Sequence, residues 1–169
     1  MTFTGKRYNF HDKAGDYAQL ASELEGLLQG EPDLIANAAN TSALLFEALP
    51  DLNWVGFYFL RGAATRSELV VGPFQGKPAC VRIPLGKGVC GSAAAKRSTI
   101  VVPDVNEFPG HIACDAASRS EIVIPLIKES TLLGVLDLDS AKLARFDEAD
   151  RQGLERLAAV FVAASRVES

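Results

Sequence analysis

The chain has 169 residues, 48% of them hydrophobic, which excludes a disordered chain and allows one domain with a buried core. Its 17 lysines and arginines against 21 aspartates and glutamates give a formal charge of −4, so no nucleic-acid partner is expected. The apolar runs are too short to span a bilayer, and the N-terminus has no signal-peptide pattern. We therefore expect a cytoplasmic protein without a membrane partner.

Two helices are predicted after an N-terminal arm. Residues 1–15 show no periodicity and are predicted to form a loose arm, with residues 16–169 as a single domain. Asp16 is predicted to cap the first helix. The second is predicted to begin at Pro32, which is favourable in a first helical turn, and to run to about Leu49.

The next segment changes to a period of two, which is typical of a β-strand. Trp54, Gly56 and Tyr58 point to one face of this strand, and Val55 and Phe57 point to the other. Both faces are apolar, so the strand is predicted to lie centrally in a sheet. Trp54, the only tryptophan of the chain, either packs in the core or forms a pocket wall together with Tyr58.

Shorter segments complete the pattern. The predicted strands are 68–71, 79–85, 99–102, 121–128 and 131–139, and the predicted helices are 89–96 and a last helix capped by Asp147. The strands follow one another closely, so the sheet should be mainly antiparallel in an α+β fold. We expect the terminal helices on one face and a pocket on the other, roofed by the loops 72–78 and 102–120.

Three acids are predicted to lie together at one end of the last hairpin. Asp137 and Asp139 are two residues apart on a strand and therefore share a face, which we also expect to carry Leu133 and Val135. Glu121 opens the antiparallel partner strand. Either the strand ends in solvent and the acids are hydrated, or they are buried and raise one another's pKa, so that a protonated one can act as an acid.

The three cysteines differ in their surroundings. Cys114 lies in a polar loop near His111 and Arg119, which favour a thiolate. Cys80 follows a glycine-rich loop, and Cys90 in its alanine-rich helix is interpreted as a small buried hydrophobic residue. A zinc site built from His111 and the cysteines is the rival interpretation, but close-spaced ligand pairs are absent, so we expect no metal.

Several segments resemble the signatures of the free methionine-R-sulfoxide reductase family. These are GPFQGKPAC at 72–80, GKGVCG at 86–91, GHIACDAAS at 110–118, NWVGFY at 53–58 and GVLDLDS at 134–140. The resemblance covers nearly all of the chain from the second helix onward, and its cysteine motifs are the specific part. It implies a single GAF fold, a homodimer, no cofactor, and thioredoxin as the reductant.

The resemblance also implies a role for each matching residue. Cys114 matches the nucleophile, Cys80 the resolving cysteine, Cys90 a third cysteine, Glu121, Asp137 and Asp139 the substrate-binding acids, and Trp54 an aromatic wall. The implied reaction reduces free methionine-R-sulfoxide through a cysteine sulfenic acid and an intramolecular disulfide. The alternative is a GAF module that senses a small ligand without chemistry, since a fold alone does not determine function.

Overall fold

The computed structural model describes residues 8–62, 67–110 and 115–166, which form four α-helices, one short 3-10 helix at Val105–Glu107 and six strands. The helices are α1 Lys13–Leu28, α2 Leu34–Ala48, α3 Gly88–Lys96 and α4 Glu148–Ala164. The strands are β1 Leu52–Arg61, β2 Glu68–Gly76, β3 Arg82–Pro84, β4 Ile100–Val102, β5 Ser120–Lys128 and β6 Thr131–Ser140. Within those three ranges, no helix combines the length and apolar character that crossing a membrane requires.

All six strands belong to one antiparallel sheet, as the sequence predicted. Its order is β3-β2-β1-β6-β5-β4, which places β1 and β6 at the centre. Glu129 and Ser130 connect β5 to β6 with φ angles of 47° and 68°. Two successive positive φ angles are typical of the tight turns whose twist matches a β-hairpin. The predicted hairpin is therefore confirmed.

The two faces of the sheet have separate cores, and the alternation in β1 is confirmed. Val55, Phe57 and Phe59 pack in one core with α1, α2 and α4. Trp54 and Tyr58 belong to a second core on the opposite face, together with residues of α3. The predicted layer of terminal helices on one face is therefore present. The opposite face carries the predicted site residues and is covered partly by a helix, α3, in addition to loops.

The first helices begin at other residues than predicted. Asp12, not Asp16, is the N-cap of α1, because its side chain accepts a hydrogen bond from the backbone N–H of Gly15. Residues 13–15 of the predicted arm are therefore helical. Tyr8 and Phe10 are buried, so the described part of the arm is not loose. Asp33 caps α2 in the same way, so Pro32 lies before the helix.

Strand β2 is longer than predicted and includes most of the expected loop 72–78. It follows β1 as far as the pair Trp54–Gly76. Gly56 pairs with Phe74 but Tyr58 pairs with Val71, so Gly72 and Pro73 lie in a β-bulge. A bulge accommodates proline because its missing N–H interrupts no ladder there. From the sequence alone, the Gly72-Pro73 pair indicates the end of the strand.

Strand β3 is shorter than predicted and does not contain Cys80. It pairs with β2 only at residues 68–70, which pair with β1 along their other edge. One further bond joins the Val71 N–H to the Val81 carbonyl. Cys80 therefore lies in the segment that leads into β3.

A bulge in β6 changes the face of one predicted residue. Leu126 pairs with Gly134 but Ile127 pairs with Leu132, so Leu133 is an extra residue in the ladder. Leu133 consequently packs in the helix-covered core, whereas Val135 lies on the face of the acids as predicted. Gly134 has a φ of 155°, and a Cβ there would lie 2.0 Å from the Tyr58 carbonyl oxygen.

Candidate active site

The register of the three central strands places the predicted acids on one face. Glu121 on β5 pairs directly with Asp139 on β6, and Asp137 lies two residues along the same strand. On the other side of β6, Asp139 faces Trp54 and Asp137 faces Gly56 of β1. The exposed fractions are 5% for Glu121, 6% for Asp137 and 8% for Asp139. The alternative of a hydrated strand end is therefore wrong.

Burial determines the protonation of these acids. It raises the pKa of each carboxyl group well above its ordinary value, and repulsion between neighbouring carboxylates raises all three further. Asp137 and Glu121 form a hydrogen bond with each other, which requires one proton between the two carboxyl groups. The Ser118 hydroxyl donates to Asp139 and partly offsets the rise in its pKa. Burial and mutual repulsion therefore favour a proton on this cluster.

Cys90 on α3 adds a thiol to this cluster. One ligand atom each of Cys90, Glu121 and Asp137 lies within 4.8 Å of the others. The thiol donates a hydrogen bond to Asp137, and burial followed by the negative charge of Asp137 and Glu121 raises its pKa. The predicted burial of Cys90 is confirmed, but its thiol has a polar partner in Asp137.

The same three residues are a possible set of ligands for a divalent cation, different from the histidine and cysteine set considered from the sequence. Thiolate and carboxylates bind metals only after losing their protons. Burial raises the pKa of each of the three groups, so a cation that bound here would have to displace their protons. His111 and Cys114 of the earlier set lie outside the described residues.

An aromatic wall stands beside the acids. Trp54 stacks on Phe74 with ring centroids 5.3 Å apart and on Tyr58 at 5.8 Å. Its indole N–H donates to the Lys77 carbonyl oxygen at 3.1 Å, which fixes the orientation of the ring. A Cβ on Gly56 would lie 2.3 Å from the Phe74 Cβ, so only glycine allows this stack. Either role of Trp54, core or wall, fits its 2% exposed fraction.

A polar network next to the acids was not predicted. The Asn53 side-chain amide donates to Asp115 at 3.2 Å and to Ser118 at 3.0 Å, and Lys77 Nζ lies 3.2 Å from Asp115. The hydrogen bond from the Ala117 N–H lowers the pKa of Asp115, and the contacts with Lys77 and Asn53 lower it by less. Each member lies inside a segment that resembles the family. The opposite charges in two of those segments, at Lys77 and Asp115, were the available signal.

The structure describes only one of the two cysteines that are predicted to form a disulfide. Cys80 is a half-buried free thiol in the segment before β3. Cys114 lies outside the described residues, and Asp115 directly after it is buried and held by the polar network. The pairing of Cys80 with Cys114 therefore stays a prediction, and so does the closure of the pocket by the loop 102–120.

Comparison with known proteins identifies the class first: residues 36–164 match the GAF domain family. The free methionine-R-sulfoxide reductase of Escherichia coli is 52% identical over 148 residues, 88% of this chain and 87% of the relative. The Saccharomyces cerevisiae protein of the same name is 46% identical over 145 residues, covering 83% and 80%. The chain belongs to the free methionine-R-sulfoxide reductase family.

A solved structure agrees with this placement. It is the free methionine-R-sulfoxide reductase of Neisseria meningitidis in complex with its substrate. The similarity has a TM-score of 0.86 at 46% sequence identity and covers 95% of each chain. The antiparallel sheet with its helical layer is therefore the GAF fold that the sequence predicted.

Proposed function

We propose that this chain reduces free L-methionine-(R)-S-oxide to L-methionine. The observation that carries the proposal is the buried cluster of Glu121, Asp137 and Asp139 beside the Trp54 ring. Reduction of a sulfoxide needs a proton at its oxygen, and these carboxyl groups have raised pKa values that keep a proton available. The relatives named for this reaction cover most of the chain, which supports the same assignment.

The acids have two tasks in this proposal. One carboxylate pairs with the ammonium group of the free amino acid, and a protonated carboxyl group donates to the sulfoxide oxygen. The hydrogen bond between Asp137 and Glu121 supports placing the donated proton on that pair. Trp54, with Tyr58 behind it, forms the wall for the methyl group.

Cysteine chemistry completes the proposed reaction. The Cys114 thiolate attacks the sulfoxide sulfur, the oxygen takes a proton, and methionine leaves while Cys114 becomes a sulfenic acid. The Cys80 thiol then condenses with it, which forms a disulfide and releases water. Thioredoxin supplies the two electrons that reduce this disulfide. The role of Cys90 beyond its contact with Asp137, and a homodimeric state, are carried by the family resemblance alone.

Two serine variants test the cysteine roles. Cys114→Ser should release no methionine, because a hydroxyl group at neutral pH is a poor nucleophile and forms no sulfenic acid. Cys80→Ser should release about one methionine per site in a single turnover but should not cycle with thioredoxin. Methionine is measured by chromatography, and cycling by NADPH consumption with thioredoxin and thioredoxin reductase.

Three other outcomes would each contradict one part of the proposed reaction. Methionine release by Cys114→Ser at the wild-type rate would move the nucleophile to another cysteine. Full thioredoxin cycling by Cys80→Ser would remove Cys80 from the resolving step. Binding of methionine sulfoxide by the wild-type chain with no methionine formed would favour the sensing GAF module.

A further inference from the structure

The segment that carries Cys80 leads into an edge of the sheet. Strand β3 is the end strand and pairs only with β2, so its other edge is free of strand partners among the described residues. Cys80 is half-buried two residues before this strand begins, whereas Cys90, on α3, is buried. Of these two thiols, Cys80 is therefore the one that a protein reductant can reach.

Apolar side chains are exposed at both ends of this edge strand. Val81 is 62% exposed and Leu85 is 38% exposed. Neither belongs to a core of the described residues, unlike Ile83 between them, which is 3% exposed. Val81 and Leu85 therefore give this edge apolar surface that a docked partner would bury.

The charge of this segment is opposite to that of the chain. Residues 76–88 contain Lys77, Arg82 and Lys87 and no acid, although the whole chain has a formal charge of −4. Glu68 pairs with Arg82, and Asp115 pairs with Lys77. Lys87 forms no ion pair within the described part of the chain. A partner with an acidic contact surface would complement this segment.

We propose that Val81, Leu85 and Lys87, around the free edge of β3, form the docking surface for the reductant, a dithiol protein with an apolar contact surface and acidic residues around it. This inference rests on the proposed function, because it assumes a Cys80–Cys114 disulfide. A thiolate of the partner attacks the Cys80 sulfur and releases the Cys114 thiolate. The partner's second thiol then attacks the mixed disulfide, releases Cys80 and leaves the partner oxidised.

Single substitutions separate docking from chemistry. Val81→Asp and Leu85→Asp remove an apolar contact and add a charge that repels an acidic partner. Each should lower kcat/KM for thioredoxin about tenfold or more, as for a central interface residue. Turnover driven by dithiothreitol, which needs no docking surface, should stay at the wild-type rate. Single-turnover release of methionine should also be unchanged.

Matched substitutions elsewhere serve as controls. Ile127→Asp changes a side chain that is also 38% exposed but lies on β5, with β2, β1 and β6 between it and β3. It should leave kcat/KM for thioredoxin unchanged. Lys87→Glu should lower the same constant and weaken its dependence on salt, whereas Arg156→Glu on the helical layer should change neither.

The results distinguish this inference from the proposed function. Wild-type kcat/KM for thioredoxin in both Val81→Asp and Leu85→Asp would overturn the docking surface. An equal loss with thioredoxin and with dithiothreitol would also overturn it, because the residues would then act on the site and not on docking. If the wild-type chain forms no methionine with either reductant, the proposed function itself fails.

Discussion

At the scale of single residues, the site concentrates acids where burial disfavours charge. A buried carboxylate is stable only with a partner or a proton. Asp137 has two hydrogen-bond partners, the Glu121 carboxyl group and the Cys90 thiol. Its Oδ1 is nevertheless buried without a hydrogen-bond partner among the described residues. In the proposed reaction, this oxygen accepts from the substrate ammonium group or, when it carries the proton, donates to the sulfoxide oxygen.

Neutralising Asp137 should stabilise the fold at neutral pH. Its pKa is raised in the folded state, so the fold is relatively most stable below the ordinary value of 3.8 and loses stability as the pH rises through the raised pKa. Asp137→Asn should therefore raise the free energy of unfolding by about 1–3 kcal/mol at pH 7. Chemical unfolding between pH 4 and 8 measures this. A gain that persists unchanged at pH 4 would contradict the electrostatic cause.

Asp115 should respond with the opposite sign. Hydrogen bonds from the Ala117 N–H, Lys77 and Asn53 lower its pKa, so its contribution is present above the ordinary value of 3.8 and is lost as the pH falls through the lowered pKa. Asp115→Asn should lower the melting temperature at pH 7, and the difference should shrink towards pH 3. Parallel pH profiles for Asp115→Asn and Asp137→Asn would show that neither effect reflects these pKa shifts.

At the scale of elements, the sequence predicted the regular strands best and the β-bulges that interrupt them worst. The alternation in β1 and the hairpin β5–β6 follow from period-two patterns, and Asp147 caps α4 as predicted. The bulges at Gly72 and at Leu133 could not be predicted, because the pairing with β1 and β5 decides them. One extra residue reverses which sheet face the residues beyond it point to. Strict alternation from Asp137 therefore predicts Leu133 on the face of the acids, which is wrong.

Gly134 should be required for the central ladder. Gly134→Ala would place a Cβ 2.0 Å from the Tyr58 carbonyl oxygen at a φ of 155°, which side chains rarely adopt. We expect a loss of about 2–4 kcal/mol in the free energy of unfolding.

Gly26→Ala in the helix α1 is the matched control for this substitution, because its Cβ would meet no atom within 4 Å. It should stabilise the protein by about 0.5–1 kcal/mol. Equal effects of the two substitutions in chemical unfolding would show that the close approach at Gly134 carries no constraint.

At the scale of the whole molecule, the sheet separates the larger hydrophobic core on one face from the candidate active site on the other. The larger core lies under α1, α2 and α4, and the acids, Trp54, Cys80 and Cys90 share the other face. The acids and Trp54 could be placed from the sequence because strand periodicity determines their face. The network of Asn53, Asp115 and Ser118 could not, because it joins residues more than 60 positions apart through loop geometry.

We propose that the acid cluster recognises a free amino acid sulfoxide. A free substrate brings an ammonium group for one carboxylate, whereas a blocked residue leaves that carboxylate buried without a partner. The methyl group against Trp54 and the oxygen at the acids cannot exchange places, which selects one epimer. The most direct test measures kcat/KM for free L-methionine-(R)-S-oxide, the free S epimer and an N-acetylated, C-amidated R-sulfoxide. We expect the first to exceed the other two by about 100-fold or more; comparable values for all three would rule out recognition of the free amino acid by the acid cluster.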